Sequence, residues 1–412
     1  MAKIKAFKGV RPSPKYFGEV VSPPYDVLNS EEARHQVKGK PFSFLHVVKP
    51  EVDLPSDLDI YDEKVYQKGR ENLYNLIKDN IMIQDDKPCY YLYQLIMGRV
   101  NQTGLVAVAS IEDYENNVIK KHEHTRAVKE ADRIKHVDTL NANTGPVFLT
   151  YPKRTDMNEL VAKLTQDTPL YEYETEDEIK HIIWKIDQEE IVNKITEIFA
   201  NIKYLYVADG HHRSASATKV GQQRRAANPD HTGDEEYNYF LSVIFPANQL
   251  YIMDYNRVVK DLNGLSESEF IQLVEKEFVV EEQLTEYYPD GQHHFGMYIG
   301  GTWYKLTAKH GSFPEADPVL SLDVSVLQNN LLSPILGIGD PRRDNRIDFV
   351  GGIRGLKELS RRVDTGEAVA FSMFPTSINQ LMTIADAGKV MPPKSTWFEP
   401  KLRSGVVVHL LD

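Results

Sequence analysis

Cysteine is nearly missing from this sequence: Cys89 is the only one in 412 residues. One thiol excludes an internal disulfide framework and any zinc site built from several cysteines. In the apolar context KPCYYLYQL it is expected to be a small buried residue. Long hydrophobic runs are missing too. No stretch approaches the roughly 18 apolar residues of a membrane-crossing helix, so no membrane partner is expected. The opening MAKIKAFKGVRPSPKYFGEVV lacks both the apolar core and the small-residue cleavage site of a secretory leader, which gives a cytoplasmic expectation. Positive charge is in short supply as well. Forty-eight Lys and Arg against 60 Asp and Glu leave a formal net charge of −12, which repels polyphosphate. The basic clusters are only doublets (Arg224 with Arg225, Arg342 with Arg343, Arg361 with Arg362), so no nucleic-acid partner is expected. Internal repeats, low-complexity tracts, a GxxxxGK[ST] loop, a kinase-type glycine set and the DxDx[TV] nucleophile string are all absent.

What is present is ordinary for a folded protein. Hydrophobic residues make up 41% and charged residues 26%, and the length allows roughly two to three domains. Residues 60–80 carry Val65, Leu73, Leu76 and Ile77 at near-helical spacing. YYLYQLIMGRV and GLVAVASIEDY read as a hairpin joined by NQTG. GPVFLTYP reads as a strand, HIIWKI as another apolar run, DQEEIVNKITEIFA as a helix capped by Asp187, and IKYLYVA as a buried strand. Strands are expected near 238–246, 250–259 and along FGMYIGGTWYKLTA, AVAFSMF and GVVVHLL. Helices are expected near 266–278, 319–332, 355–364 and 376–387. The class is a mixed α/β (α+β) protein.

Chemistry concentrates where IKYLYVA runs into ADGHHRSA. Gly210 lets the chain turn, and Ser214 through Val220 suit a helix. A helix starting here would aim free N–H groups and its positive dipole end above the strand, where an anion fits. Arg213 can grip a phosphoryl group bidentately, His211 or His212 can donate a hydrogen bond or shuttle a proton, and Asp209 can hold Mg²⁺ or orient a hydroxyl. An acid cap, a glycine turn and two packed histidines would satisfy the same composition. A transition-metal site joining these histidines to His122 and His124 of KKHEHTR is disfavoured, since neighbouring side chains diverge and no HxxxH pair accompanies them.

Three more patches qualify. KKHEHTR surrounds Glu123 with Lys120, Lys121, His122, His124 and Arg126, so its carboxylate would be ionised among phosphate-compatible cations. In SPPYDV two prolines stiffen the approach to Asp26. MPPKSTWFEPKLRSG offers Lys394, Ser395, Thr396, Lys401 and Arg403 between prolines, suited to a phosphate or carboxylate grip. Its Trp397 and Phe398 are expected in packing. In RIDFVGG, Arg346 and Asp348 are expected to form a structural ion pair.

The string Asp209-Gly210-His211-His212-Arg213 resembles the GxxR-type signature of the ParB and sulfiredoxin superfamily, and is most similar to the DGHHR motif of its free-serine kinases. The wider layout resembles domain-of-unknown-function family 1015, through SPPYDV (22–27), KHEHTRAVKEADRIKHVDTLNANTGPVF (121–148), ADGHHR (208–213) and MPPKSTWFEPKLRSG (391–405). The resemblance implies a ParB/sulfiredoxin-like core with large additional α/β segments. Three regions are expected: 1–170 with SPPYDV and KHEHTR, 171–265 with DGHHR, and 266–412 with MPPKSTWFEPK. It also implies Asp209 in hydroxyl or Mg²⁺ contact, and His211, His212 and Arg213, with Gly210 beneath them, at the phosphates. The glutamate base that those kinases carry near the N-terminus does not align here; Glu123 is the first candidate for it and Asp26 the second.

The expected function is a phosphotransferase acting on a small hydroxylated metabolite. Free serine or phosphoserine is the best candidate, with Mg²⁺ and a nucleotide or pyrophosphate as phosphate donor or acceptor. A phosphoserine-type phosphatase and a nucleotide-binding regulator without catalysis are the alternatives. The sequence leaves the oligomeric state open.

Overall fold

In the computed structural model, which describes all 412 residues, the apolar runs of the first 250 residues join one nine-stranded sheet. Its strands are β1 (Ile4–Lys5), β2 (Tyr90–Met97), β3 (Val100–Ser110), β4 (Ile119–Lys120), β5 (Val147–Tyr151), β6 (Tyr171–Glu174), β7 (Ile179–Ile186), β8 (Leu205–Asp209) and β9 (Tyr239–Pro246). The order is β4-β8-β5-β9-β3-β2-β7-β6, with β1 paired on β3. β8 runs parallel to β4 and antiparallel to β5. Five helices of this unit matter here: α1 (Glu63–Lys78), α2 (Ala127–Leu140), α3 (Thr155–Leu164), α4 (Glu189–Ala200) and α5 (His211–Ala227). α4 buries Ile195, Ile198 and Phe199, a helical i, i+3, i+4 set, in the same core as Leu149, Leu205 and Val207. A second core gathers Leu73, Leu76, Leu140, Ala142 and Val408.

The fold is mixed α/β, the class expected, but it divides differently from the three regions drawn on the sequence. One compact unit is Met1–Leu250 with Pro400–Asp412, and the other is Tyr251–Glu399. The boundary at 170 fails because β6 to β9 enter the same sheet as β1 to β5. The C-terminal segment belongs to the first unit through His409–Leu410, which pairs with Ala142–Asn143. Only that dipeptide of GVVVHLL is strand.

The second unit holds a six-stranded antiparallel sheet of β10 (Tyr255–Val259), β11 (Phe278–Gln283), β12 (His294–Ile299), β13 (Thr302–Ala308), β14 (Ile347–Gly351) and β15 (Val369–Met373), in the order β11-β13-β12-β15-β10-β14. Its core includes Val258, Tyr298, Trp303, Val350, Leu359 and Ala370.

Other local expectations shift for physical reasons. Met97 pairs with Val100, so the turn of the β2–β3 hairpin is Gly98–Arg99, and NQTG continues β3. There Gly104 is needed for packing: a Cβ would stand 2.7 Å from Val243 Cγ1. Asp187 does not cap α4; Gln188 holds that position, and Asp187 lies 3.4 Å from Lys185. The helix expected at 319–332 shortens to Asp323–Leu327 followed by a π-helical turn. Arg346 pairs with Asp344 at 2.8 Å and Asp348 with Arg362 at 2.6 Å, rather than with each other. The arginine doublets also have acidic neighbours, Arg224 with Asp138 and Arg361 with Glu358 among them. No helix is long and apolar enough to cross a membrane.

Candidate functional site

β8 reaches the site through an irregularity. Its pairing with β5 slips between Val207 and Asp209, the kind of bulge that re-aims a side chain at a strand end. Gly210 then takes φ +97°, a left-handed conformation unfavourable to any residue with a Cβ, and α5 begins at once. The first amide taken up by the helix is that of Ser214, which donates to Gly210 O at 3.0 Å. The amides before it have no intrahelical acceptor and, with the helix dipole, present positive potential above the strand end.

Around that end, charges of both signs alternate. Lys401 Nζ donates to Asp209 Oδ2 at 3.0 Å. Arg213 Nη2 lies 3.9 Å from Asp209 Oδ1 and 3.8 Å from Asp26 Oδ2, while its Nη1 donates to the carbonyl of Pro146. Burial works against the charge on Asp209, but Lys401 and Arg213 outweigh it and hold the carboxyl well below the ordinary range. An acid that strong is a poor proton acceptor. Asp209 therefore fits a role as a fixed negative charge and hydrogen-bond acceptor.

The histidines behave oppositely. His211 Nδ1 faces Glu123 Oε2 at 3.7 Å, and its ring stands edge-on to His122 with centroids 4.4 Å apart. Burial pushes His122 down to about 4 and His211 well below its usual value, in the second case helped by His122. His212 is lowered by burial and then by Lys129 and Arg126. All three are neutral at pH 7. His122 Nδ1, His211 Nε2, His212 Nδ1 and Arg213 Nε are buried without a hydrogen-bond partner in the protein. Orphaned buried polar atoms are rare in native folds, and these four leave hydrogen-bonding capacity for a water or a polar guest. Beside Arg213 a cavity of about 30 Å³, room for about one water, is lined by residues including Tyr25, Arg133, Asn143 and Ser404.

The structure thus brings Asp26, His122, Glu123, Asp209, Gly210, His211, His212, Arg213 and Lys401 together, with Arg126 close enough to act on His212. His124 is exposed. Lys394, Ser395 and Thr396 belong to the second unit, where Ser395 Oγ donates to Pro392 O at 2.6 Å and Thr376 Oγ1 to Ser395 O at 2.9 Å. Three participants escaped the sequence reading: the Pro146 carbonyl, Lys129, and Tyr25, whose ring lies 4.3 Å from the Arg133 guanidinium. A main-chain acceptor leaves no composition signal. No group of three or more His, Cys, Asp or Glu side chains forms an all-protein metal cage, and the Asp209 oxygens face Lys401 and Arg213, so any Mg²⁺ here would rest on a single carboxylate together with a ligand's phosphates.

A family described as "Protein of unknown function (DUF1015)" matches residues 4–325. No curated protein matches. Among solved structures, a free serine kinase in complex with AMP is 15% identical with a TM-score of 0.36, covering 72% of this chain and 86% of that one. SbnI with a C-terminal truncation, from Staphylococcus aureus, is 11% identical with a TM-score of 0.39, covering 72% and 84%. A conserved hypothetical protein from Pyrococcus furiosus is 15% identical with a TM-score of 0.34, covering 72% and 90%. At these values the likeness carries no argument about chemistry.

Proposed function

This chain belongs to the DUF1015 family, and we propose that it is a phosphotransferase acting on the hydroxyl of a small metabolite, with free serine the first candidate and a nucleotide or pyrophosphate as donor. The observation that carries the reading is the ionised Asp209 set between Lys401 and Arg213 at the N-terminus of α5. Phosphoryl transfer demands little covalent chemistry from a protein; positioning and charge neutralisation supply most of the rate. Arg213, Lys401 and the free amides of α5 offer that neutralisation. Asp209 accepts a hydrogen bond from the substrate hydroxyl and keeps the two cations in place.

The base in this reading is the Glu123–His211 pair. Neutral His211 can turn its Nδ1–H toward Glu123 and leave Nε2 as an acceptor, and Glu123 then stabilises the imidazolium that forms. The hydroxyl proton passes to the pair, an O–P bond forms to the donor's terminal phosphorus, and the bond to the donor's bridging oxygen breaks. The leaving phosphate departs with the electron pair. Mg²⁺ enters this scheme only as a companion of the donor's phosphates, and no step is routed through it.

Phosphorus NMR tests the proposal on the full chain with Mg²⁺, pairing L-serine with ATP, ADP or pyrophosphate. A new phosphoserine resonance is expected with one donor, and Asp209→Asn and Glu123→Gln should each slow its growth by roughly 10²-fold or more. No transfer from any donor would overturn the serine assignment. Phosphate released from phosphoserine into water without an acceptor would identify a phosphatase instead.

A further inference from the structure

The second unit contains a buried cation with no acid beside it. Arg257, in β10 between β15 and the edge strand β14, is 4% exposed. A guanidinium stays charged in proteins, and buried charges are ordinarily paired with an opposite charge. No carboxylate pairs with this one. Its Nη1 donates to the carbonyl of Tyr255 and its Nη2 to Lys394 O at 3.0 Å, and the guanidinium carbon lies 5.4 Å from the centre of the Phe349 ring. Burial pushes it down to about 10, still charged at neutral pH.

A second cation adjoins it. Lys394 holds its backbone in the left-handed region at φ +59°, uncommon for a residue with a long side chain and a conformation found at ligand sites. Its Nζ stands 5.3 Å from the centre of the Tyr255 ring. Arg257 and Lys394 therefore converge on the same tyrosine. Two acids close in sequence have other partners: Glu399 accepts from Trp397 Nε1 at 2.7 Å, and Asp254 from Asn256 Nδ2 at 2.5 Å and Tyr288 OH at 2.7 Å.

We infer that Arg257 and Lys394, held by the PPKST turn of residues 392–396, form a binding site for a compact oxyanion, the phosphate or carboxylate end of a small molecule. Two of the five guanidinium N–H groups are spent on main-chain carbonyls, which fix the planar fork; the other three have no carboxylate acceptor, and the fork matches the geometry of an oxyanion. The site stands on the second unit alone and does not depend on the phosphotransferase reading.

Thermal unfolding of the full chain tests it in an Arg213→Met background, which removes the phosphate grip proposed at α5. Inorganic phosphate and acetate, in separate arms, distinguish the two kinds of oxyanion. One of them should raise the midpoint, and Lys394→Asn, which tolerates the left-handed backbone, should weaken the response about 10-fold. Arg257→Met should abolish the response while leaving the ligand-free midpoint unchanged or higher, because an unpaired buried charge has been removed. A structural arginine predicts the opposite, a lower ligand-free midpoint. The inference is overturned if neither probe shifts the midpoint, or if Lys394→Asn leaves the response intact. Should Arg257→Met fail to fold, the Lys394→Asn result decides. None of these outcomes touches the test of Asp209.

Discussion

Asp209 and His211 sit two residues apart and are driven to opposite electrostatic ends by their neighbours. Lys401 and Arg213 keep the carboxylate ionised against the effect of burial, while burial keeps the imidazole neutral. Lys401→Met removes the partner at 3.0 Å, so the carboxyl should titrate at higher pH. The sign follows from linkage: a depressed carboxyl contributes stability that is complete above its unfolded value, about 3.9, and is lost as pH falls through the folded one. In carbon-detected NMR of Asp209, the onset of protonation on lowering the pH should come at a higher pH in the variant than in the native chain. Identical titrations would mean that Lys401 does not set its charge. Cys89 offers a simpler check. Burial pushes its thiol up to about 11, so iodoacetamide at pH 8 should leave the folded chain unlabelled, whereas rapid labelling would place it outside the core.

The site rests on α5, a helix that packs through small residues. A Cβ on Gly221 would lie 2.4 Å from Ile111 Cδ1 and 2.5 Å from the Tyr237 carbonyl oxygen. Helix propensity alone favours Gly221→Ala by about 1 kcal/mol. A backbone carbonyl cannot swing away as a side-chain tip can, and overpacking of this kind is worth about 1–3 kcal/mol in the other direction. We expect a lower urea midpoint for Gly221→Ala with unchanged far-UV circular dichroism; a higher midpoint would show that the helix has room. The same helix shows how far the sequence could be read. The strand, glycine turn and helix around 205–220 were legible because apolar period, Gly210 and polar motif fall in a row. The hairpin of β2 and β3 was legible from two β-rich runs, though its turn was misplaced because a packing glycine in NQTG resembles a turn glycine. β6 was hidden: no apolar alternation in the acidic run YEYE marks a strand, yet three of its four side chains are exposed on an edge strand, where charge is favoured. Lys401 lies 192 residues from Asp209, and no local pattern announces that ion pair.

Taken whole, the chain distributes its buried histidines unevenly. His122, His136, His181, His211 and His409 are all buried in the first unit, whereas His293, His294 and His310 of the second are not buried. Burial lowers His122 to about 4 and His136 and His181 to about 3, and holds His211 and His409 low as well. In the unfolded chain each binds a proton near pH 6.5, while the folded chain resists until much lower pH. Stability from these groups is therefore complete above about pH 6.5 and drains away as pH falls toward the folded values. All of them act in the same direction, so together they steepen the acid edge of the first unit specifically. Trp184 reports on the first unit, and Trp303 and Trp397 lie in the second. In a chain carrying Trp303→Phe and Trp397→Phe, the urea midpoint read from Trp184 should fall clearly between pH 7 and pH 5. Read in the complementary Trp184→Phe chain, the second unit should fall less. Parallel shifts, or a first unit that holds its midpoint, would mean that these imidazoles reach protons without unfolding. The neutral His211 required beside Glu123 would then lose its physical basis along with the acid lability.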